Sequence, residues 1–129
     1  MNRPRILLGD DHSALLEAET ALLSPHFDVV GAAKDGEELV SEARRLRPDI
    51  IVADISMPIL NGIDAVHQLQ ELGSEAKFVF LTVHSEREFV EACMKVGALG
   101  YVQKLRMRQH LVPAIQAALS GQTYLSKPE

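Results

Sequence analysis

"IIVADISMPILNG" spans residues 50–62 and begins as a strand covered on both faces would, with Ile50, Ile51, Val52 and Ala53 in an unbroken apolar run. Asp54 ends that run, and Pro58 and the pair Asn61-Gly62 follow it. A carboxylate at the end of a buried strand is costly unless something nearby neutralises or uses it. The residues on either side of this stretch decide both the fold and the chemistry.

Four further apolar runs of strand length occur at 6–8, 29–33, 78–81 and 98–102. Between the runs, apolar residues recur at helical spacing. Leu15, Ala18 and Leu22 share a face, as do Leu39, Ala43 and Leu46, then Ile63, Val66 and Leu69. Phe89, Cys93 and Val96 form a fourth stripe, and Leu111, Ile115 and Leu119 a fifth. Five strands alternating with five helices predict an α/β fold, a parallel sheet with helices on both sides and right-handed crossovers. Asp35-Gly36 with Glu38 reads as a capping box opening the second helix. Pro48, Gly73, Gly97 and Gly121 close the second to fifth helices, while Pro113 must kink the fifth or lie in its first turn.

The 129 residues suit one domain, and 47% apolar with 24% charged side chains is an ordinary globular balance. Thirteen basic against eighteen acidic residues, net charge −5, argue against direct nucleic-acid binding. The basic groups Arg44, Arg45, Arg47 and Lys104, Arg106, Arg108 read as solvated helix faces. One cysteine, Cys93, precludes an internal disulfide and fits a reducing compartment. No apolar run approaches the ~20 residues of a membrane span. "MNRPRILLGDD" has too short an apolar core for a signal peptide, so cytoplasm is expected.

In open parallel sheets, sites form beyond the carboxyl ends of the strands where strand order reverses. Those ends carry Asp10 and Asp11 after the first strand, Asp54 after the third, Thr82 at the fourth and Lys104 after the fifth. In the common order 2-1-3-4-5, taken from known folds of this type, the first and third strands are neighbours at the reversal. Asp10, Asp11 and Asp54 then converge, with Thr82 and Lys104 beside them. At ~5 Å and an effective dielectric near 20, each carboxylate pair repels by roughly 3 kcal/mol. Lys104 and a hard divalent cation such as Mg²⁺ would offset that repulsion. Singly, Asp10 or Asp11 reads as a helix cap, Asp54 as a polar strand end, Thr82 as a β-former and Lys104 as a surface lysine. Together they predict a Mg²⁺-dependent phosphoryl acceptor or hydrolase.

At these residues the chain resembles the receiver domain of bacterial two-component response regulators, of the subgroup followed by a NarL/LuxR-type helix-turn-helix. "LLGDDH", "PDIIVADISMPILNGIDA", "VFLTVH" and "GALGYVQK" carry the resemblance, and "FDVVGAAKDGEEL", "LTVH" and "GQTYLSKPE" point to the subgroup. It implies a flavodoxin-like (βα)5 three-layer sandwich over residues 1–129 as one receiver. It also implies that Asp54 accepts a phosphoryl group from a sensor histidine kinase or a small acyl phosphate. Asp11, Asp54 and the Ser56 backbone carbonyl would bind Mg²⁺, with Asp10 acting through water. Lys104 would pair with one phosphoryl oxygen and Thr82 would move to bond another. Tyr101 would then pass from exposed to buried and alter the surface of the fourth helix, fifth strand and fifth helix. Ser56 and His84 would tune self-catalysed dephosphorylation. The family acts as a signalling switch rather than an enzyme, with homodimerisation on phosphorylation and DNA contact only through an output domain.

Leu105 follows the lysine where many relatives have proline. A cis bond without proline costs about 3 kcal/mol, which leaves the Lys104–Leu105 bond open between cis and trans. Val83 stands where a small residue often follows the threonine, and its bulk would narrow access to Asp54. An aspartyl-nucleophile phosphatase needs an acid/base carboxylate where Ser56 stands. A flavodoxin-like cofactor module needs a glycine-rich loop where "GDDHS" stands. A receiver that is never phosphorylated, acting through interactions alone, is a third reading. The chain ends at Glu129 where a linker would begin, as a piece of a longer regulator or as a stand-alone receiver. His12, His26, His67 and His110 lack ligand spacing and read as surface or core polar residues.

Overall fold

The computed structural model describes residues 3–126, so the ends of "MNRPRILLGDD" and "GQTYLSKPE" at 1–2 and 127–129 lie outside it. Strands and helices alternate: β1 (Arg5–Gly9), α1 (Ser13–Leu23), β2 (Asp28–Ala33), α2 (Gly36–Leu46), β3 (Ile50–Ala53) and α3 (Gly62–Glu71). Then come β4 (Lys77–Thr82), α4 (Arg87–Lys95), β5 (Gly100–Gln103), a 3₁₀ turn (Lys104–Arg106), α5 (Met107–Leu119) and β6 (Tyr124–Leu125). All pairings are parallel in the order β2-β1-β3-β4-β5-β6. The flavodoxin-like core order 2-1-3-4-5 is thus present. The sixth strand is an addition to the five expected, because two residues are too few to show a period. Gly121, at φ 76°, turns the chain back after α5, and Ser126 N–H donates to Tyr101 O at 2.8 Å to hold the new edge.

Alternation along the buried strands feeds two cores. Leu7, Ile51, Ala53, Phe78, Phe80 and Tyr101 face one side with Leu39, Val66, Leu69 and Cys93 from α2, α3 and α4. Ile6, Leu8, Ile50, Val52, Val79 and Val102 face the other with Leu16, Leu23, Leu111 and Ile115 from α1 and α5. These are the three layers. The stripe expected on α1 is corrected: Leu16, Glu19 and Leu23 are buried, Leu15 and Leu22 are half-buried and Ala18 is exposed. The all-apolar stripe suggested the wrong phase by one residue.

Most end signals act as read. Asp35 accepts from Glu38 N–H at 2.8 Å, and Glu38 reaches back to Lys34 N–H. Arg47 takes the left-handed C-cap before Pro48, and Gly73 and Gly97 take positive φ after their helices. Pro113 lies well inside α5 but on its exposed face, where water can serve the Gln109 carbonyl left without a donor. No peptide bond among the described residues is cis, so Lys104–Leu105 is trans.

The loop from β3 to α3 is tightly constrained. Asn61 is the N-cap of α3, accepting from Asp64 N–H at 2.9 Å. Gly62 is required there, since a Cβ would stand 2.0 Å from the Asp54 carbonyl oxygen. Leu60 N–H donates to Pro58 O at 2.7 Å across Ile59, whose φ of 71° makes this the strained form of γ-turn. Ile59 is also 72% exposed, so packing does not offset its strain.

Opposite effects are expected at these two positions. Gly62→Ala should destabilise by more than about 2 kcal/mol, whereas Ile59→Gly should stabilise by up to about 1 kcal/mol. Urea unfolding of both variants checks the signs.

Candidate functional site

Sheet register assembles the site. Gly9 pairs with Ala53, so the next residues, Asp10 and Asp54, emerge side by side. Their backbones are fixed as the strands end: Asp10 N–H donates to Ala33 O and Asp54 N–H to Gly9 O. Ala53 pairs with Phe80 and Thr82 with Gln103, which brings Thr82 and then Lys104 to the same end. A cleft of about 1110 Å³ between α2 and α3 is at the opposite end of the sheet. It gathers Arg44, Arg47, Asp49 and Lys77 but none of these groups.

Lys104 Nζ lies 2.8 Å from Asp10 Oδ2 and 2.9 Å from Asp54 Oδ2. Both carboxylates are almost fully buried, at 1% and 3% exposure. Burial would draw the ammonium pKa down. The two hydrogen bonds and two negative charges outweigh it, and Lys104 sits above its ordinary value. Asp11 stands at the rim, exposed. His12 Nδ1 lies 3.1 Å from Asp10 Oδ1 and 3.1 Å from Asp11 Oδ1, bridging the acid pair. This corrects the reading of His12 as an unrelated polar residue. Asp10 is not the cap of α1 either: the N-cap is His12, whose N–H donates to Asp10 Oδ1 at 2.9 Å.

On the other flank, Ser56 Oγ and His84 Nε2 are hydrogen-bonded at 2.8 Å, and Ser56 N–H points to Asp54 Oδ1 at 3.4 Å. Thr82 is fully buried and its Oγ1 accepts from His84 N–H at 3.2 Å. Tyr101 is also buried, its hydroxyl donating to the His84 carbonyl at 2.5 Å, joined by Gln103 Nε2 at 3.1 Å. The tyrosine therefore stands in the inward one of its two expected positions. Val83 projects outward, 67% exposed, and Leu105 is 96% exposed.

Residues 6–116 match the family of response regulator receiver domains. The chain belongs to that family. Among similar proteins, the nitrate/nitrite response regulator NarL of Escherichia coli K12 is 36% identical over 95% of this chain and 57% of its own length. The transcriptional regulatory protein DegU of Brevibacillus brevis is 32% identical over 96% of this chain and 53% of its own. This receiver thus spans little more than half of such relatives. A LuxR-family two-component response regulator from Aurantimonas superimposes with a TM-score of 0.92 at 33% identity, over 97% of this chain and 91% of that one. The relatives make this a receiver of NarL/LuxR type. Phosphorylation-dependent switching is the general role of receivers, and their acidic pockets generally take Mg²⁺.

The donor set here fits a hard ion. Ligand atoms of Asp10, Asp11 and His12 lie within 4.8 Å of one another, and the carboxylate oxygens suit Mg²⁺ better than the imidazole does. No described helix is long and apolar enough to cross a membrane.

Sequence reasoning missed Glu19. It faces inward from α1 at 1% exposure, and Oε2 is the one buried side-chain oxygen or nitrogen among the described residues without a hydrogen-bond partner. Burial, reinforced by the Asp10 charge, lifts its pKa to about 8; Lys104 opposes the shift and Asp54 adds to it. Its place between Leu16 and Leu23 was the available signal, at spacings of three and four. Burial also pushes the Cys93 thiol up to about 12, consistent with an inert core residue.

The raised carboxyl has a signed consequence. Between the unfolded value near 4.5 and about 8, the folded receiver holds one more proton than the unfolded chain. Stability should therefore fall as pH rises, by about 1.4 kcal/mol per pH unit, and level off above pH 8. Denaturant unfolding in EDTA should show this fall between pH 5 and 8 in the wild type, with most of it absent in Glu19→Gln.

Proposed function

We propose that Asp54 of this receiver is a phosphoacceptor, taking a phosphoryl group from the phosphohistidine of a sensor kinase or from a small acyl phosphate. The observation that carries this is the Lys104 ammonium shared between Asp10 and Asp54. It places a fixed positive charge against the Asp54 oxygen that would attack and offsets the repulsion between the two acids. One Asp54 oxygen attacks phosphorus as the bond to the donor breaks. Lys104, already at that carboxylate, then serves a phosphoryl oxygen.

Asp11, Asp54 and the Ser56 backbone carbonyl would hold Mg²⁺, with Asp10 acting through water, and the His12 ring would leave the acid pair. Bound there, the ion would neutralise charge on the transferred oxygens. Ser56 and His84 would adjust the later hydrolysis.

A phosphoryl group adds close to two negative charges and three acceptor oxygens. Thr82 Oγ1 now serves only the His84 N–H and has a proton to donate, so the new group gives it a partner at the centre of the site. A shift of Thr82 would pull on His84, whose carbonyl holds Tyr101 and Gln103. The readout is thereby the α4–β5–α5 surface. Several relatives are named transcriptional regulators, which supports control of a DNA-binding output region by this receiver. Homodimerisation on phosphorylation is the corresponding assembly step.

With Mg²⁺ and acetyl phosphate, intact mass should show one labile phosphoryl adduct on the wild type. None should form on Asp54→Ala or with EDTA; an undiminished adduct on Asp54→Ala would sink the assignment. Thr82→Ala should still take the group yet lose most of the phosphorylation-dependent amide shifts in α4 and β5, as NMR would record.

A further inference from the structure

The β4 side of the acid cluster is closed by a bridge between two loops. Ser56, two residues after Asp54, meets His84, two residues after Thr82, at 2.8 Å. The His84 backbone is pinned by Thr82, Tyr101 and Gln103. Its ring is positioned differently. One face stacks on Phe89 of α4, with centroids 4.1 Å apart and planes 17° from parallel. Glu86 Oε2 comes no nearer to Nδ1 than 3.8 Å. Beside the stacked pair is a crevice of about 420 Å³, floored by Ile55, Ile63 and Phe89. The imidazole thus has space to swing into, and the Phe89 ring opposes that swing.

We propose that Phe89 is a positioning residue for the Asp54 site: through its stack on His84 it holds the Ser56–His84 bridge across the mouth, and so sets how long a phosphoryl group survives on Asp54. The inference rests on the phosphoacceptor reading above. In hydrolysis the water oxygen bonds to phosphorus and the P–O bond to Asp54 breaks, its electron pair returning to the carboxylate. Dihydrogen phosphate leaves with both water protons. The bridge joins the loops after β3 and β4 next to Asp54, so on this proposal loosening it opens the phosphoryl group to water and speeds this step. Because Phe89 belongs to α4, whatever displaces that helix alters the lifetime as well.

The experiment compares wild type, Phe89→Leu, Phe89→Tyr, His84→Ala and the double variant His84→Ala/Phe89→Leu, with folding checked by circular dichroism. Adduct decay is followed by intact mass after acetyl phosphate is removed. Phe89→Leu should shorten the lifetime about two- to tenfold, Phe89→Tyr should keep it, and Phe89→Leu should add nothing once His84 is alanine. In the unphosphorylated protein, Phe89→Leu should shift the His84 ring nitrogens in long-range ¹H–¹⁵N spectra and leave those of His26 unmoved. An unchanged lifetime, an equal shortening in the His84→Ala background, or unmoved His84 nitrogens each overturn the inference. A wild type that takes up no phosphoryl group would instead overturn the phosphoacceptor reading. The ring spectra would then still decide whether Phe89 holds His84.

Discussion

Two carboxylates leave water together in this domain because one ammonium goes with them. Lys104 bridges Asp10 and Asp54 at hydrogen-bonding distance, and its charge offsets the cost of burying both acids. The bridge also ties β1, β3 and the turn after β5 across the mouth of the sheet. Removing one partner would leave a buried charge uncompensated. The site therefore constrains the fold as much as the fold builds the site.

A second organising point is His84. Its amide, carbonyl and ring each have separate partners, so a single residue on the β4–α4 loop joins Thr82, Tyr101, Gln103, Ser56 and Phe89. The backbone adjoining Thr82 carries the hydroxyl of a buried tyrosine. Ser126 N–H is in turn bonded to the Tyr101 carbonyl, which places the end of the described chain one hydrogen bond from the same residue. Hydrogen bonds thereby link the Thr82 and Tyr101 positions to the sheet edge.

The domain carries local costs near this machinery. Ile59 holds a left-handed backbone, and Glu19 buries a carboxyl whose Oε2 has no hydrogen-bond partner, within reach of the Asp10 charge. Either is tolerable because two apolar layers around the sheet supply the stability. Neither is a feature that optimisation of folding alone would select.

The acids, the threonine and the lysine were legible in the sequence because each ends an apolar run of strand length, and parallel sheets collect strand ends on one edge. The helix ends marked by Asp35, Gly73 and Gly97 were legible for a similar reason, since capping depends on near neighbours in the chain. Only tertiary structure decided the phase of α1, where two stripes one residue apart each carry leucines and burial in the core with Ile6, Leu8, Leu111 and Ile115 selects the one containing Glu19. The same holds for His12 between the acids, the stack of Phe89 on His84, the inward Tyr101 and the two-residue β6. Tyr101 meets a partner distant in the chain and β6 is too short to leave a period, while His12 and the His84–Phe89 pair depend on how side chains turn in irregular loops, which has no period either. A one-dimensional pattern records which face a residue prefers, not which partner it meets there.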